Sequence, residues 1–479
     1  MKKPSKVVKG MAWSLIERVS MQTCQFIIGI ILARLLSPED YGIIGMLAIF
    51  MAVAQSLLDG GFSRALIQKK GRDLKDYSTV FYFNLAISLV LYIILYVISP
   101  FIASFYNTPV LTEVTRIVSL VIILNGLSIV QTSKLTIEYE FRSQAIISVI
   151  SVIISGMLSI MMAYRGFGIW SLVAQSVIAA LIRTTLLWLF TKWRPLLIFS
   201  LDSFKSLFSF GSKLLVGDII HTMYSNMYTI VIGKAFNVAD VGYYNRANSF
   251  AFLPSSIFGQ VVNRVMFPLL SENQDDDEVL LTKYSRVLRI SMYIYVPIMV
   301  ALAALSKPII LLLIGEKWIK CLPLMQVLCL GYVFSPLSTL NLNLLYAKGR
   351  SDLSLKLDLI KKSIGVLLLL VSIPLGLWLM CVGKALYDFI AFVMNCYYTK
   401  KLLNYSFIKQ FSDLWIIFVS STLMFFIIIL LSFCFESIWM QLFVGVASGI
   451  TSYLILTYSL KEPALKEIIE FCVNKRRTT

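Results

Sequence analysis

Apolar residues run along this chain in fourteen stretches of roughly membrane-spanning length, joined by linkers of at most about twenty residues. A hydrocarbon core about 30 Å thick needs about 20 helical residues to cross it, so the pattern predicts an all-α polytopic membrane protein. The expected spans lie near 11–35, 41–58, 79–102, 111–131, 143–164, 166–190, 207–233, 241–267, 286–306, 322–346, 357–376, 379–399, 413–433 and 438–459. No linker is long enough to form a soluble domain.

Composition agrees with this pattern, since 58% of the 479 residues are hydrophobic and only 14% are charged, against about a quarter charged in ordinary globular chains. Lys and Arg concentrate on the side bearing the N-terminus, among them Lys2, Lys3, Lys6, Lys9, Arg64, Lys69, Lys70, Arg72, Lys75, Lys475, Arg476 and Arg477. Few fall on the opposite side. The positive-inside rule therefore predicts that both termini are cytoplasmic. The net charge of +17 then follows from topology and from attraction to anionic membrane lipid, and calls for no nucleic-acid partner. Residues 11–35 are too long for a signal peptide and lack a small-residue cleavage site, so they read as the first helix. The seven cysteines are scattered without metal-type spacing and read as small hydrophobes; no cofactor or metal is expected.

The chain also repeats itself. LARLLSPEDYG at 32–42 and IGKAFNVADVG at 232–242 both close a span with a cation, an Asp and a Gly, so that Arg34, Asp40 and Gly42 correspond to Lys234, Asp240 and Gly242. Six spans separate the copies, which makes the repeat parallel and predicts two pseudo-symmetric lobes about a central site. The expected division is an N-terminal lobe at 1–206, a C-terminal lobe at 207–402, and an appendage of two helices with a basic tail at 403–479.

Ionisable groups within a span cost about 2.5–3.5 kcal/mol each on insertion scales and usually face a protein interior or a water-filled cavity. On the first helix Ser14, Arg18, Gln22, Gln25 and Gly29 follow spacings of four, four, three and four, which stacks them on one face, with Glu17 directed elsewhere. The seventh span carries Asp218, His221, Thr222, Ser225 and Asn226; the eighth carries Asn245, Arg246 and Asn248; the tenth carries Asn341. Arg18 either lines a cavity or snorkels to the headgroups, and the position of Arg183, Lys213 and Arg264 near the cytoplasmic boundary favours snorkelling for them. His221 lies one turn from Asp218, where the two either form a relay for a coupling ion, H+ or Na+, or pack together as a satisfied pair. Lys384 and Asp388, four residues apart, are placed to neutralise each other. The acidic run 275–278 reads as solvated loop surface.

GxSxG and P-loop motifs are absent and no aqueous loop could house a catalytic centre, so the chain is not read as an enzyme. A cavity of Arg with Asn, Gln and Ser suits a ligand with an anionic part and a sugar-like part, because guanidinium pairs with phosphate oxygens and amides match hydroxyls.

Six segments add a family resemblance: LARLLSPEDYGIIGM at 32–46, DGGFSRALIQKK at 59–70, FYFNL at 81–85, DVGYYNRA at 240–247, FPLLS at 267–271 and AKGRSDL at 347–353. With these the chain resembles the Wzx-type flippases of the multidrug/oligosaccharidyl-lipid/polysaccharide (MOP) exporter superfamily, in the WzxC- and TuaB-like group. The resemblance implies 12 to 14 helices in two lobes and a cationic cavity that alternates its access. It implies transfer of an undecaprenyl-diphosphate-linked oligosaccharide from the cytoplasmic to the periplasmic leaflet of a bacterial inner membrane, alongside other polysaccharide-assembly proteins. Only Arg18 carries over from the family's basic positions, and the role of Arg64 stays open. The rival readings are a MATE-like antiporter, with Asp218 as its protonation site, and a membrane glycan polymerase, which the short outer linkers disfavour.

Overall fold

The computed structural model describes residues 6–272 and 275–478, and among them every regular element is helical. In chain order the helices are α1 (Lys6–Leu35), α2 (Pro38–Asp59), α3 (Phe62–Gln68), α4 (Leu74–Phe105), α5 (Leu111–Val118), α6 (Leu120–Gly126), α7 (Ile129–Ile137), α8 (Phe141–Tyr164), α9 (Ile169–Phe190) and α10 (Leu201–Ala235). They continue with α11 (Val238–Ser271), α12 (Asp277–Ala304), α13 (Ser306–Leu313), α14 (Cys321–Tyr332), α15 (Ser335–Ala347), α16 (Ser351–Ser372), α17 (Leu377–Leu403), α18 (Phe407–Phe433), α19 (Ile438–Ser459) and α20 (Pro463–Thr478).

A helix, or a run of short helices, occupies each of the fourteen predicted segments. Among the described residues, eleven of these are long and apolar enough to cross a membrane. The three that fall short, α10, α11 and α16, are those whose apolar runs are interrupted by charge, for example by Asp218, Arg246 and Lys361.

The chain divides into two compact units, Met1–Gly242 and Tyr243–Thr479. In the first, α8 packs on α1 and α9, and α10 packs along α2, α3 and α4. In the second, α17 gathers α14, α15 and α16, while α12 packs on α14, α18 and α20. The unit boundary falls 36 residues beyond position 206, because α10 packs on helices of the first unit.

The repeated segments owe their likeness to helix capping. Ser37 caps α2, Pro38 sits at its first turn, and the Asp40 carboxylate accepts from the Ser37 amide at 2.9 Å. At the second copy the Asp240 carboxylate accepts from the Asn237 amide at 3.3 Å. The two copies also meet. A Cβ on Gly42 would lie 1.9 Å from the Val238 carbonyl oxygen, and one on Gly242 would lie 2.0 Å from the Pro38 carbonyl oxygen. The approach is reciprocal, with equivalent residues 200 apart exchanging roles, so glycine is required at both positions for a steric reason.

Several sequence expectations find a physical account here. Lys384 Nζ lies 3.5 Å from Asp388 and 4.1 Å from the centre of the Tyr332 ring. Asp276 caps α12 through the amides of Glu278 and Val279, and Asp277 pairs with Lys348 at 2.6 Å, so the acidic run starts a helix and binds a cation. Lys2 and Lys3, and the side chains of Lys6, Lys9, Lys213, Lys475, Arg476 and Arg477, lie outside the described residues.

Candidate functional site

Two membrane-crossing segments of the first unit are broken, and a polar cavity lies at the breaks. The segment 38–68 is interrupted at Gly60 and Gly61, both in the left-handed region (φ +45° and +71°) that only glycine adopts without strain. The second glycine also lets α10 pass, since a Cβ on Gly61 would lie 2.6 Å from the Cα of Gly211. Phe62, immediately after the break, anchors α3 in a buried cluster with Phe81, Trp193 and Leu207. The segment 111–137 is interrupted at Ser119 and again at Leu127–Ser128. Carbonyls freed at the second break are taken up by side chains of α9, as Thr184 Oγ1 donates to Leu124 O (2.8 Å) and Trp188 Nε1 donates to Leu127 O (2.9 Å). Irregular backbone at membrane depth is tolerated where it is satisfied in this way or lines a cavity.

The cavity has a volume of about 680 Å³ and is lined by Asp59 and Arg64 on either side of the first break, by Asn125 and Ser128 at the second, and by Arg183, Asp218 and His221. Arg64 Nη1 lies 3.2 Å from Asp218 Oδ2, with the two side chains 62% and 45% exposed. Asn125 Nδ2 donates to Gln55 Oε1 at 2.8 Å, and Gln55 Nε2 donates to Asp59 Oδ1 at 3.3 Å. Ser63 and Ser133 hydroxyls bond at 2.8 Å and tie α3 to α7; Ser56 and Thr222 hydroxyls bond at 3.1 Å and tie α2 to α10.

Two guanidinium groups and two carboxylates therefore share one cavity with amides and hydroxyls. Chemically it can bind a polyanion by exchange: an incoming phosphate competes with Asp218 for Arg64, while Gln55, Asn125 and Ser128 offer partners to hydroxyls. An ion pair this exposed holds its partners with only about 0–1 kcal/mol, so exchange is cheap.

Of the in-span residues singled out in the sequence, the structure brings Asp218, His221, Thr222 and Arg183 into this cavity. It adds Arg64 and Asp59. Arg183, expected to snorkel, stands in the cavity wall, and Arg64, expected in a loop, sits on α3. Glycines 60 and 61 beside an Asp and an Arg were the available signal, because a Gly-Gly pair at the end of an apolar run marks a helix break.

Arg18, Gln22 and Gln25 lie exposed along α1 of the first unit, while Glu17 accepts from Ser148 Oγ at 2.9 Å on the packed side. Arg246, Asn245 and Asn248 belong to the second unit, where Asn248 Oδ1 accepts from the Tyr332 hydroxyl at 2.7 Å. Asn341 is fully buried there. Its amide donates to Leu337 O and Gln410 Oε1 and accepts from Thr399 Oγ1 and Gln410 Nε2, which saturates its hydrogen-bonding capacity inside the unit.

Comparison with known proteins places these features in context. Residues 31–323 match the family described as polysaccharide biosynthesis protein. The chain is 28% identical over 334 residues to the succinoglycan biosynthesis transport protein ExoT of Rhizobium meliloti, covering 70% of this chain and 68% of that one. It is 27% identical over 364 residues to the lipopolysaccharide biosynthesis protein WzxC of Escherichia coli (74% and 73% covered). With the teichuronic acid biosynthesis protein TuaB of Bacillus subtilis it shares 25% identity over 356 residues (74% of each). Among solved structures it resembles the lipid II flippase MurJ in an inward closed conformation, with TM-score 0.77, 16% identity, and 95% of this chain and 100% of that one covered. It also resembles an inward-facing MATE family transporter of the MOP superfamily, with TM-score 0.62, 15% identity, and 82% and 98% covered. At these identities the structural likeness speaks for the fold, and it agrees with the all-α, MOP-like architecture expected from the sequence.

Proposed function

Since this chain belongs to the polysaccharide biosynthesis protein family, we propose that it is a flippase that moves a polyprenyl-diphosphate-linked oligosaccharide across the membrane for surface polysaccharide assembly. The observation that carries the proposal is the cavity at the two helix breaks. It offers Arg64 and Arg183 to the diphosphate and amides and hydroxyls to the sugars, inside a chain of apolar helices. Arg18 and Arg246 are proposed as further cationic contacts, each on its own unit.

In this reading all fourteen segments span the bilayer of a bacterial inner membrane and both termini face the cytoplasm. That topology places the Gly60–Gly61 break in the cytoplasmic half of the bilayer, where the lipid-linked sugar is made. The internal repeat belongs to two six-helix lobes divided near residue 206, with the last two helices appended, and access alternates between the two faces. A diphosphate with about two negative charges moving outward gains up to about 4.6 kcal/mol per 100 mV of inside-negative potential, so ion coupling is dispensable. If a proton is coupled, Asp218 is its carrier once Arg64 has exchanged to phosphate, with His221 one turn away.

The chemistry required is positioning and desolvation without bond cleavage, so no catalytic residue is assigned. Purified protein in vesicles should move a fluorescent polyprenyl-diphosphate oligosaccharide between leaflets, read by an impermeant lectin. Proton-driven efflux of an organic cation, abolished by Asp218→Asn, with no movement of the lipid-linked sugar, would favour the antiporter instead.

A further inference from the structure

A second cavity of the first unit runs beside the polar one and has the opposite character. Its volume is about 680 Å³ and every residue lining it is apolar, including Val53 and Leu57 of α2, Ile94 and Phe101 of α4, and Met223 and Ile230 of α10. The two cavities share α2 and α10 as walls. Along α2 the two linings interleave, with Val53, Ala54 and Leu57 facing the apolar cavity and Gln55, Ser56 and Asp59 the polar one; along α10 Ile230 and Met223 line the apolar cavity and Thr222, His221 and Asp218 the polar one. On α4 the apolar lining extends from Leu91 to Phe105, about 21 Å at 1.5 Å per residue.

An apolar groove that shares two helical walls with a cavity holding two guanidinium groups suits an amphiphile with an anionic head and a long hydrocarbon chain. We infer that the groove formed by α2, α4 and α10 binds the head-proximal part of the substrate's polyprenyl chain, in register with the diphosphate at Arg64 and Arg183. This rests on the flippase reading and extends it. The groove discriminates by chain length through packing against its walls, since a chain already in lipid gains nothing from leaving water: a long prenyl diphosphate is retained and a short one released. Ordinary phospholipid is the competing occupant, distinguished by its two acyl chains and single phosphodiester.

The test uses the full-length protein in nanodiscs of phosphatidylethanolamine and phosphatidylglycerol, with a diazirine-bearing long-chain polyprenyl diphosphate and with geranyl diphosphate as the short-chain probe. Adducts of the long-chain probe should map to 49–57, 91–105 and 223–230, and should persist in excess phospholipid. The ratio of geranyl to long-chain Kd should fall at least tenfold in Ile94→Ser/Phe101→Ser and in Ile94→Trp.

Adducts that map elsewhere, or that added phospholipid removes, overturn the groove assignment, as does an unchanged Kd ratio. Those outcomes leave the flippase reading intact provided the wild-type protein still prefers the long-chain probe and Arg64→Glu still abolishes its binding. A wild-type protein that binds neither probe overturns the flippase reading and the groove with it.

Discussion

At the scale of single residues, the sequence showed polar positions within spans but not which of them meet. Asp218 and His221 were visible as polar interruptions of an apolar run, whereas Arg64 was hidden, because its neighbours Lys69, Lys70 and Arg72 made it look like one more loop cation. Its partner lies 154 positions away, and local spacing carries no trace of such a contact. The exposed Arg64–Asp218 pair should contribute little to folding: a double-mutant cycle with Arg64→Ala and Asp218→Ala should give a coupling below about 1 kcal/mol in thermal unfolding. The reciprocal glycines behave differently. Gly42→Ala places a methyl 1.9 Å from the Val238 carbonyl oxygen, a backbone atom that cannot turn aside. That variant should lose at least about 2 kcal/mol, seen as a lower melting temperature and poorer recovery from the membrane. A melting temperature equal to wild type would show that this close approach does not exist.

At the scale of elements, hydrophobic periodicity located the fourteen long helical segments, with ends displaced by up to nine residues at the start of α12. It did not locate the short helices α3, α13 and α20 or the breaks inside the segments. Segment 111–131 reads as one continuous apolar run, and nothing in its composition marks the interruption at Ser119. At the second interruption, Leu127–Ser128, the Thr184 and Trp188 side chains of α9 supply donors to the freed carbonyls. The Gly60–Gly61 break has a local signature, and Gly61→Ala should be doubly costly: it strains a positive φ and drives a methyl into Gly211. Transport should fall with stability in this variant, whereas Gly71→Ala, which meets no atom within 4 Å, strains only an exposed turn.

The last helix, α20, shows a different device. Glu462 at its start is buried and shares Arg289 with Asp413, at 3.9 Å and 3.3 Å, while Arg286 holds Glu467 at 2.7 Å. Burial raises the Glu462 pKa, opposed by the Ala464 amide and Arg289 and reinforced by Asp413. For an acid whose folded pKa is raised, the cost of burying its charge is absent below its ordinary value and grows as pH rises toward the folded value. Attachment of α20 should therefore loosen from pH 4.5 upward, read as pH-normalised amide exchange of 463–470, and Glu462→Gln should flatten that dependence.

At the scale of the whole molecule, composition and periodicity sufficed for the fold class, because a bilayer admits so few solutions for an apolar chain. The parallel repeat was also legible, since its two copies answer the same requirement for a capping acid followed by a glycine at a close backbone contact. The charge of the site was not. A positively lined vestibule was expected, and the cavity of the first unit instead balances Arg64 and Arg183 against Asp59 and Asp218. Such balance lets an incoming diphosphate replace a carboxylate at Arg64 instead of meeting unpaired charge. The account therefore depends on Arg64 passing from Asp218 to substrate phosphate, with Arg183 in the same cavity wall as a second cationic contact. The direct measurement is leaflet-to-leaflet transfer of a polyprenyl-diphosphate oligosaccharide in vesicles containing the wild-type protein or Arg64→Glu/Arg183→Glu. Transfer at least tenfold slower in the variant, at equal protein content and unchanged thermal stability, is the predicted result; transfer at the wild-type rate would contradict it.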